Sequence, residues 1–526
     1  MKLVNRPERS FSRNDISPSS RNEYAASAPS KEPMTNLLMI SAFVCFSVLA
    51  YIYFPESIDD AYITLRYARN LFEGHGLVFN VGERVEGFSN FTWLSVLAAA
   101  GWSGLSMPMA MKVLSFLSGL VTLFLTARVG QRFFGQGLAG ALPALLLASS
   151  SFFALWSVDG LETVFYTMLL TLLLALLCTG SHSAITIGLV AGVAAISRPE
   201  APLFAGIAVV AVLVLRGWRE ALKIGVIVVL FAGSYELFRL LYFHAPVSNA
   251  AYLKLNPGWN AVKQGFHYLI SFDADSALWL LPVAVVGLLA IRRQPVLAIP
   301  AAFIAVQLFF IGLSGGDFMY GYRFLVPILP PLMLLVVAGM APVLTRLGAA
   351  TGRALAGTAC LTLLIAQYVS LPAKTIRWDN LTHRASTMFT VGEYLRIHAT
   401  PPHTMLMSES GIEPFLYAES KNVDYLGLTT AYRDVIDEHG TFRVDKLFQT
   451  RPHYVLLSFW IGQDRIEFSR LPQEAAILNN EMFKSNYRAV RDFEIERDAS
   501  FLNAIYYRYW PDALRIRFRL YERTQP

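Results

Sequence analysis

A polytopic helical membrane bundle followed by a soluble mixed α/β domain is the fold that this sequence predicts, and three observations predict it. Of 526 residues, 54% are hydrophobic and only 16% are charged, with a mean hydropathy of +0.44, unlike an ordinary soluble domain. About eleven apolar runs approach the ~20 residues needed to cross a hydrocarbon core of roughly 30 Å. After Leu371 the chain turns polar for a stretch of domain size, and strand-like patterns replace helical ones. The formal charge of +6 and pI near 9.1 do not point to nucleic acid, because the basic residues lie in short loops between apolar runs.

Residues 1–34 are polar and mixed in charge, too long and too far from the first apolar run for a cleavable signal peptide, and read as a flexible cytoplasmic tail. Residues 35–372 read as the membrane domain, with runs near 36–54, 109–127, 138–156, 163–178, 184–196, 202–215, 222–243, 277–291, 296–313, 324–344 and 354–371. The run 91–105 is assigned to a segment that dips into the membrane or lies along it. Only then do Arg128 and Arg132, Arg216, Arg219 and Lys223, Arg292 and Arg293, and Arg346 and Arg353 all become cytoplasmic. The same count sends the loops carrying Asp159 and Glu162, Arg198-Pro199-Glu200, Lys254, and Gly315-Gly316-Asp317 through Arg323 to the outer face, beside Asp59 and Asp60. The expectation is a multi-pass protein of the inner (plasma) membrane, with its active face and residues 373–526 extracytoplasmic and strands near 404–408, 454–458 and 504–507. Cys45, Cys178 and Cys360 lie in separate apolar runs, which indicates neither a disulfide framework nor a thiolate metal site.

The first outer loop, residues 55–90, holds the candidate chemistry. Asp59 and Asp60 stand just past Phe54, where the chain leaves the hydrocarbon, and carboxylates at that boundary commonly have a function. From Asp59 to Glu73 the spacing suits a helix with Asp59, Tyr62, Arg66, Arg69 and Asn70 near one face, ended by Gly74. One aspartate is enough to cap a helix start; the second is left over. Adjacent carboxylates repel and titrate together, which suits a general base accepting the proton of an attacking sugar hydroxyl at Asp59 or Asp60.

Arg66, Arg69, Arg198, Lys254 and Arg323 are the candidates for a donor phosphate, with headgroup snorkelling as the competing account of Arg66 and Arg69. Asn80, Glu86, Asn90, Glu162, Glu200 and Asp317 are candidate sugar or acceptor contacts. For Glu162 helix-dipole stabilisation stands equally beside function, and Asp317 after two glycines is commonly a turn residue. Arg239 and Glu236 are spaced to pair on one helix. No cofactor is certain. No histidine or cysteine cluster suggests zinc, and a divalent cation on Asp59, Asp60 and Glu86 is a minority alternative. Neither a Walker-type motif nor a GxGxxG after a strand is present, which favours a lipid-borne donor over a nucleotide.

These residues also carry a resemblance. Asp59-Asp60-Ala61-Tyr62-Ile63, Arg66-Tyr67-Ala68-Arg69-Asn70, Gly74-His75-Gly76-Leu77-Val78, Asn80, Gly82-Glu83 and Val85-Glu86-Gly87 through Asn90-Phe91 resemble the first outer loop of the mycobacterial terminal arabinofuranosyltransferases and their bacterial relatives. Gly160-Leu161-Glu162-Thr163, Arg198-Pro199-Glu200, Tyr242 with Asn249, Tyr252 and Lys254, Gly315-Gly316-Asp317-Phe318-Met319, Arg323-Phe324-Leu325-Val326-Pro327, and Asp424 with Gly427-Leu428-Thr429 look like further blocks of the same proteins, in order over most of the chain. The resemblance implies a GT-C superfamily membrane glycosyltransferase with Asp59 and Asp60 in the catalytic role. By it, D-arabinofuranose passes from a polyprenyl-phosphate donor to an extracytoplasmic glycan, glycolipid or glycoprotein. One departure is Ala245-Pro246-Val247-Ser248-Asn249, which inserts two residues between proline and asparagine. The residues alone do not identify the sugar, so a hexose donor on the same architecture stays open, as does a lipid-sugar flippase, which would need a charged path across the bundle. Trp460 and Trp510 are either acceptor stacking platforms or core.

Overall fold

The computed structural model describes residues 31–55, 57–180, 182–250, 258–377, 380–399, 402–461, 467–494 and 515–524. Six helices are long and apolar enough to cross a membrane: Met34–Tyr53, Met107–Phe134, Trp218–Phe243, Pro295–Ser314, Arg323–Leu344 and Ala349–Leu371. A bent pair, Trp259–Asp275 with Leu280–Arg292, makes up to seven. Leu138–Ala148, Thr163–Cys178, Ala184–Ala195 and Ala201–Arg216 are shorter apolar helices. The chain is thus a multi-pass membrane protein, and each of the eleven apolar runs read from the sequence falls on one of these segments.

Helix α1 (Lys31–Tyr53) leads into α2 (Asp59–Phe72), of which ten of fourteen residues are buried. A helix so polar and so buried is an interior element. Helix α3 (Phe91–Ala100), extended by a 3-10 turn at Gly101–Ser103, is about 15–20 Å long at ~1.5 Å per residue, too short to cross roughly 30 Å alone. Helix α4 (Met107–Phe134) runs antiparallel to α1: Lys112 Nζ donates to the Phe54 carbonyl at one end, and Gly137 N donates to Thr35 Oγ1 at 2.8 Å at the other.

The single run expected over 138–156 is broken into α5 (Leu138–Ala148) and α6 (Ser151–Trp156). The cause is the Ser149-Ser150 pair, since Ser150 Oγ accepts from Phe153 N and caps the second piece while donating to Gln367 Oε1 at 2.8 Å. Helices α7 (Thr163–Cys178), α8 (Ala184–Ala195) and α9 (Ala201–Arg216) follow, and α10 (Trp218–Phe243) packs on α8 and α9. Its remaining surface, with Val229 and Leu241 among the exposed side chains, is the apolar face that hydrocarbon would cover.

The run expected over 277–291 is only the second half of a bent element. Helix α11 (Trp259–Asp275) meets α12 (Leu280–Gly287, continued as a 3-10 turn to Arg292) at 103°, the corner being made by Ala277 and Leu278 with φ of 63° and 59°. Helix α13 (Ala298–Ser314) and a 3-10 turn at Arg323–Ile328 lead to α14 (Leu329–Leu344), the most enclosed span. The last bundle helix is α15 (Ala349–Arg377).

Beyond α16 (Asn380–His398) lies a six-stranded sheet of β1 (Thr404–Met407), β2 (Lys421–Asp424), β3 (Tyr454–Ile461), β4 (Glu467–Ser469), β5 (Tyr487–Glu494) and β6 (Arg515–Arg523). Its order is β2-β1-β3-β6-β5 with β4 on β3; β1 pairs in parallel with β2 and β3, and the other pairs are antiparallel. The strands expected at 404–408 and 454–458 are β1 and the start of β3, while 504–507 and Trp510 lie outside the described residues. Trp460, half-buried on β3, is paired with Ile516 in the sheet.

Candidate active site

The C-terminal domain grips the first loop through a short helix, α17 (Ile412–Leu416), laid against α2. Asp59, in the first turn of α2, does not cap its own helix; its carboxylate accepts from Gly411 N at 3.0 Å and Ile412 N at 2.7 Å. Gly411 is required there, because a Cβ would stand 1.8 Å from the Asp59 backbone oxygen. Arg66, buried one helical face further on, donates to Phe79 O at 2.9 Å, Ser420 O at 2.6 Å, Asn80 Oδ1 at 3.4 Å and Pro414 O. Its guanidinium, a candidate for the donor phosphate, is engaged with these internal acceptors. Asn80, a candidate sugar contact, behaves like a strand residue, its side chain donating to Asn422 O at 2.8 Å and accepting from Asn422 N at 3.0 Å on β2.

Inside this seam Glu413 is fully buried and neither carboxylate oxygen has a hydrogen-bond partner. Burial pushes its carboxyl up to about 8, with the Asp59 charge adding to the rise and Arg66 opposing it. Nearby Asp424, accepting from the N–H groups of Leu426, Leu428 and Thr429, is pushed up to about 6, burial outweighing those bonds. Both groups hold protons in the fold that the unfolded chain releases, so stability is fully present at acid pH and falls as pH rises through their folded values. We expect the midpoint of thermal unfolding to drop between pH 6 and pH 9 in the wild type and the drop to be much smaller in Glu413→Gln. Parallel pH curves for the two proteins would exclude Glu413 as the titrating group.

Packed against α2 is a buried polar ladder. Asn90 Nδ2 donates to Thr64 Oγ1 at 3.0 Å and to Glu162 Oε2 at 2.9 Å; Glu162 pairs with Arg198, whose Nε donates to Glu200 Oε1 at 2.6 Å. Thr92 Oγ1 donates to Ser197 Oγ at 2.7 Å and Trp93 Nε1 to Gly160 O at 3.1 Å, so the start of α3 fixes both loops that supply the charges. Burial would raise Glu162, but the charges of Arg198 and Arg323 outweigh it and hold its carboxyl below the usual range. Arg323 forms a 2.6 Å ion pair with Asp317 and lies within electrostatic reach of Asp60, Glu162 and Asp159. Asp60 is half-buried with no hydrogen-bond or ion-pair partner among the described residues. Among the described residues the Asp159 carboxyl has one hydrogen bond, from Leu161 N at 3.1 Å, and burial lifts it well above the usual range.

Asp159 Oδ2, Thr163 Oγ1, Tyr166 Oη and Glu200 Oε2 are all buried around Arg198 and Arg323 without a hydrogen-bond partner. Each unmet group costs about 1–3 kcal/mol unless water or a ligand meets it. This concentration, beside two arginines and an aspartate without a partner among the described residues, marks the candidate site.

Glu86 faces away from that cluster. Tyr235 Oη donates to it at 2.8 Å and Arg239 Nε at 2.8 Å, both from α10, while Arg239 also makes the expected pair with Glu236 at 2.6 Å. Asn249 ties the same region down, donating to Gly427 O at 3.0 Å and Thr430 O at 2.9 Å, with its backbone N–H on Glu86 O at 3.0 Å. Arg69 is half-buried, stacks over Phe415 at 4.8 Å, and has Nε and Nη2 without hydrogen-bond partners. Lys254 and Tyr252 lie outside the described residues. Asp59 and Glu86 turn to different partners, and among the described residues no group of three or more candidate ligands converges on a metal position.

Asp159, Tyr166 and Glu413 were not among the sequence-derived site residues. A carboxylate set between Ile412 and Pro414-Phe415-Leu416 was the available signal for Glu413, and a tyrosine four residues after Glu162 for Tyr166.

No family model matches the chain. It is 30% identical over 341 residues to a protein of Mycobacterium tuberculosis described as a terminal beta-(1->2)-arabinofuranosyltransferase, covering 54% of this chain and 52% of that one. It is 26% identical over 325 residues to a Corynebacterium glutamicum protein of the same description, covering 51% and 46%. The chain thus spans about half the length of the curated relatives it matches. Among solved structures, ArnT from Cupriavidus metallidurans bound to undecaprenyl phosphate superposes with a TM-score of 0.56 at 14% identity, over 92% of this chain and 97% of that one. Its apo form gives 0.53 at 13% identity, over 91% and 97%. The chain therefore shares the fold of ArnT and resembles terminal arabinofuranosyltransferases in sequence over about half its length.

Proposed function

We propose that the protein is a membrane glycosyltransferase that moves D-arabinofuranose from a polyprenyl-phosphate donor to an extracytoplasmic glycan, glycolipid or glycoprotein. The observation that carries this reading is the cluster of unmet buried polar groups around Arg198 and Arg323 beside Asp60, at the end of α1 where the chain leaves the membrane. The sequence similarity to arabinofuranosyltransferases supports the sugar, and the ArnT complex with undecaprenyl phosphate supports a lipid phosphate donor.

In this reading Asp60 is the general base. It takes the proton from the acceptor hydroxyl as that oxygen attacks the anomeric carbon, and the bond to the phosphate oxygen breaks with its electron pair leaving on the phosphate. Arg323 and Arg198 sit where that phosphate charge would be met, each held in orientation by a carboxylate, Asp317 and Glu162 with Glu200. Asp59 acts by fixing α2 to the C-terminal domain, not by touching the sugar. In this reading Glu162, Asn90 and Asp159 are the buried polar groups that the pentose hydroxyls would meet.

The test is transfer by the purified, detergent-solubilised chain from polyprenyl-phosphate arabinofuranose and, separately, polyprenyl-phosphate hexose, with a mixed pool of envelope acceptors. Product from the arabinose donor alone is the expected outcome. Product from the hexose donor alone overturns the sugar and keeps the site. Movement of labelled lipid between leaflets without its consumption overturns the transferase reading in favour of a flippase.

A further inference from the structure

The opposite end of the bundle carries a second feature. A cleft of about 660 Å³ opens between α1 and α4, with Asn36, Arg128 and Gln131 at its outer rim and Met39, Phe43 and Phe124 along its floor. A second cleft of about 360 Å³ shares Phe43 and continues along α1 past Val48 to Tyr51. From Asn36 to Tyr51 the path is about 22 Å at ~1.5 Å per residue, enough to hold a chain that fills one leaflet, about half of a roughly 30 Å core.

The polar rim is at the water boundary far from the candidate active site. The Thr35 bond to Gly137 pins the start of α1 beside the end of α4, whereas Asp59 follows the other end of α1. Among the described residues the rim is cationic, since Arg128 lines it and no aspartate or glutamate lines either cleft. Arg128 is exposed and, like Asn36, has no hydrogen-bond or ion-pair partner among the described residues. Gln131 accepts only a 3.5 Å contact from Gln136. One unpaired cation with two amides at the boundary, above an apolar trough running parallel to the spans, matches an anionic head on an acyl chain.

We propose that this groove binds an anionic glycerophospholipid in the leaflet opposite the candidate active site, with its phosphate on Arg128 and one acyl chain along α1. A single arginine at the surface confers a preference of about fivefold for an anionic over a zwitterionic head. The experiment is native mass spectrometry of the full chain in mild detergent with an equimolar mixture of phosphatidylglycerol and phosphatidylcholine of matched chains. One phosphatidylglycerol retained with about fivefold preference is the expected result. Arg128→Gln should bring the preference close to unity, while Arg219→Gln, an exposed cation elsewhere, leaves it unchanged. Met39→Trp should reduce retention of both lipids by filling the trough. Equal retention of the two lipids by the wild type, or a preference unaltered by Arg128→Gln, overturns the site. Displacement of phosphatidylglycerol by an equimolar amount of polyprenyl phosphate overturns the choice of lipid.

Discussion

Asp60→Asn is expected to lower sugar transfer by about two to four orders of magnitude while leaving the unfolding midpoint where it was. Asparagine keeps the size of the side chain and removes the basic oxygen, and Asp60 has no hydrogen-bond partner among the described residues whose loss would loosen the fold. Its neighbour should show the reverse. Asp59→Asn loses two charge-assisted bonds, to Gly411 N and Ile412 N, each worth about 1.5–3 kcal/mol. The amide's nitrogen would also face a backbone donor. Measuring kcat and detergent-solubilised thermal unfolding on both variants separates the two roles. Full turnover in Asp60→Asn would remove the general base from the mechanism, and an unchanged midpoint in Asp59→Asn would show that the grip on α17 is dispensable.

The second large effect lies in the ladder. Arg198→Met leaves Glu162 and Glu200, both buried, without their shared cation, and breaking a buried pair from one side costs about 3–5 kcal/mol. The cost comes mainly from the stranded carboxylates. Adding Glu162→Gln and Glu200→Gln to Arg198→Met should therefore restore at least half of the lost stability without restoring transfer. Denaturant unfolding of the single and triple variants reads this out. If the triple variant is no more stable than the single, packing of Arg198 against Tyr166 and Phe324 matters more than charge.

The apolar runs were legible because membrane helices must satisfy their backbone internally and display apolar side chains over a fixed length. The two places where a run was misjudged have local causes that hydropathy does not carry, a serine pair capping a new helix at Ser150 and a left-handed corner at Ala277-Leu278. In the candidate site, charge at the membrane boundary pointed alike to Asp59, Asp60, Arg66, Glu162, Arg198 and Arg323. What the sequence could not carry is that residues 411–422 reach Asp59, Arg66 and Asn80 with hydrogen bonds. Strands β2 and β5 were missed because KNVD is short and mostly polar although three of its four residues are buried, and YRAVRDFE is polar and mostly solvated, so the pairing of both is decided by neighbours distant in sequence.

The separations in that grip have a meaning for how the chain is made. Asp59 and Arg66 emerge among the first residues of the bundle, but their partners are 352 to 354 positions later for Gly411, Ile412 and Ser420. At 5–20 residues per second of synthesis, α2 waits on the order of tens of seconds with a buried-type arginine and aspartate still hydrated. The loop can close only after residues 411–420 have been made, and closing so long a loop is slow. A chain stopped short of residue 411 would hold its spans and yet leave Asp59 and Arg66 without these partners, so the candidate site waits on a later-made part of the chain to fix α2.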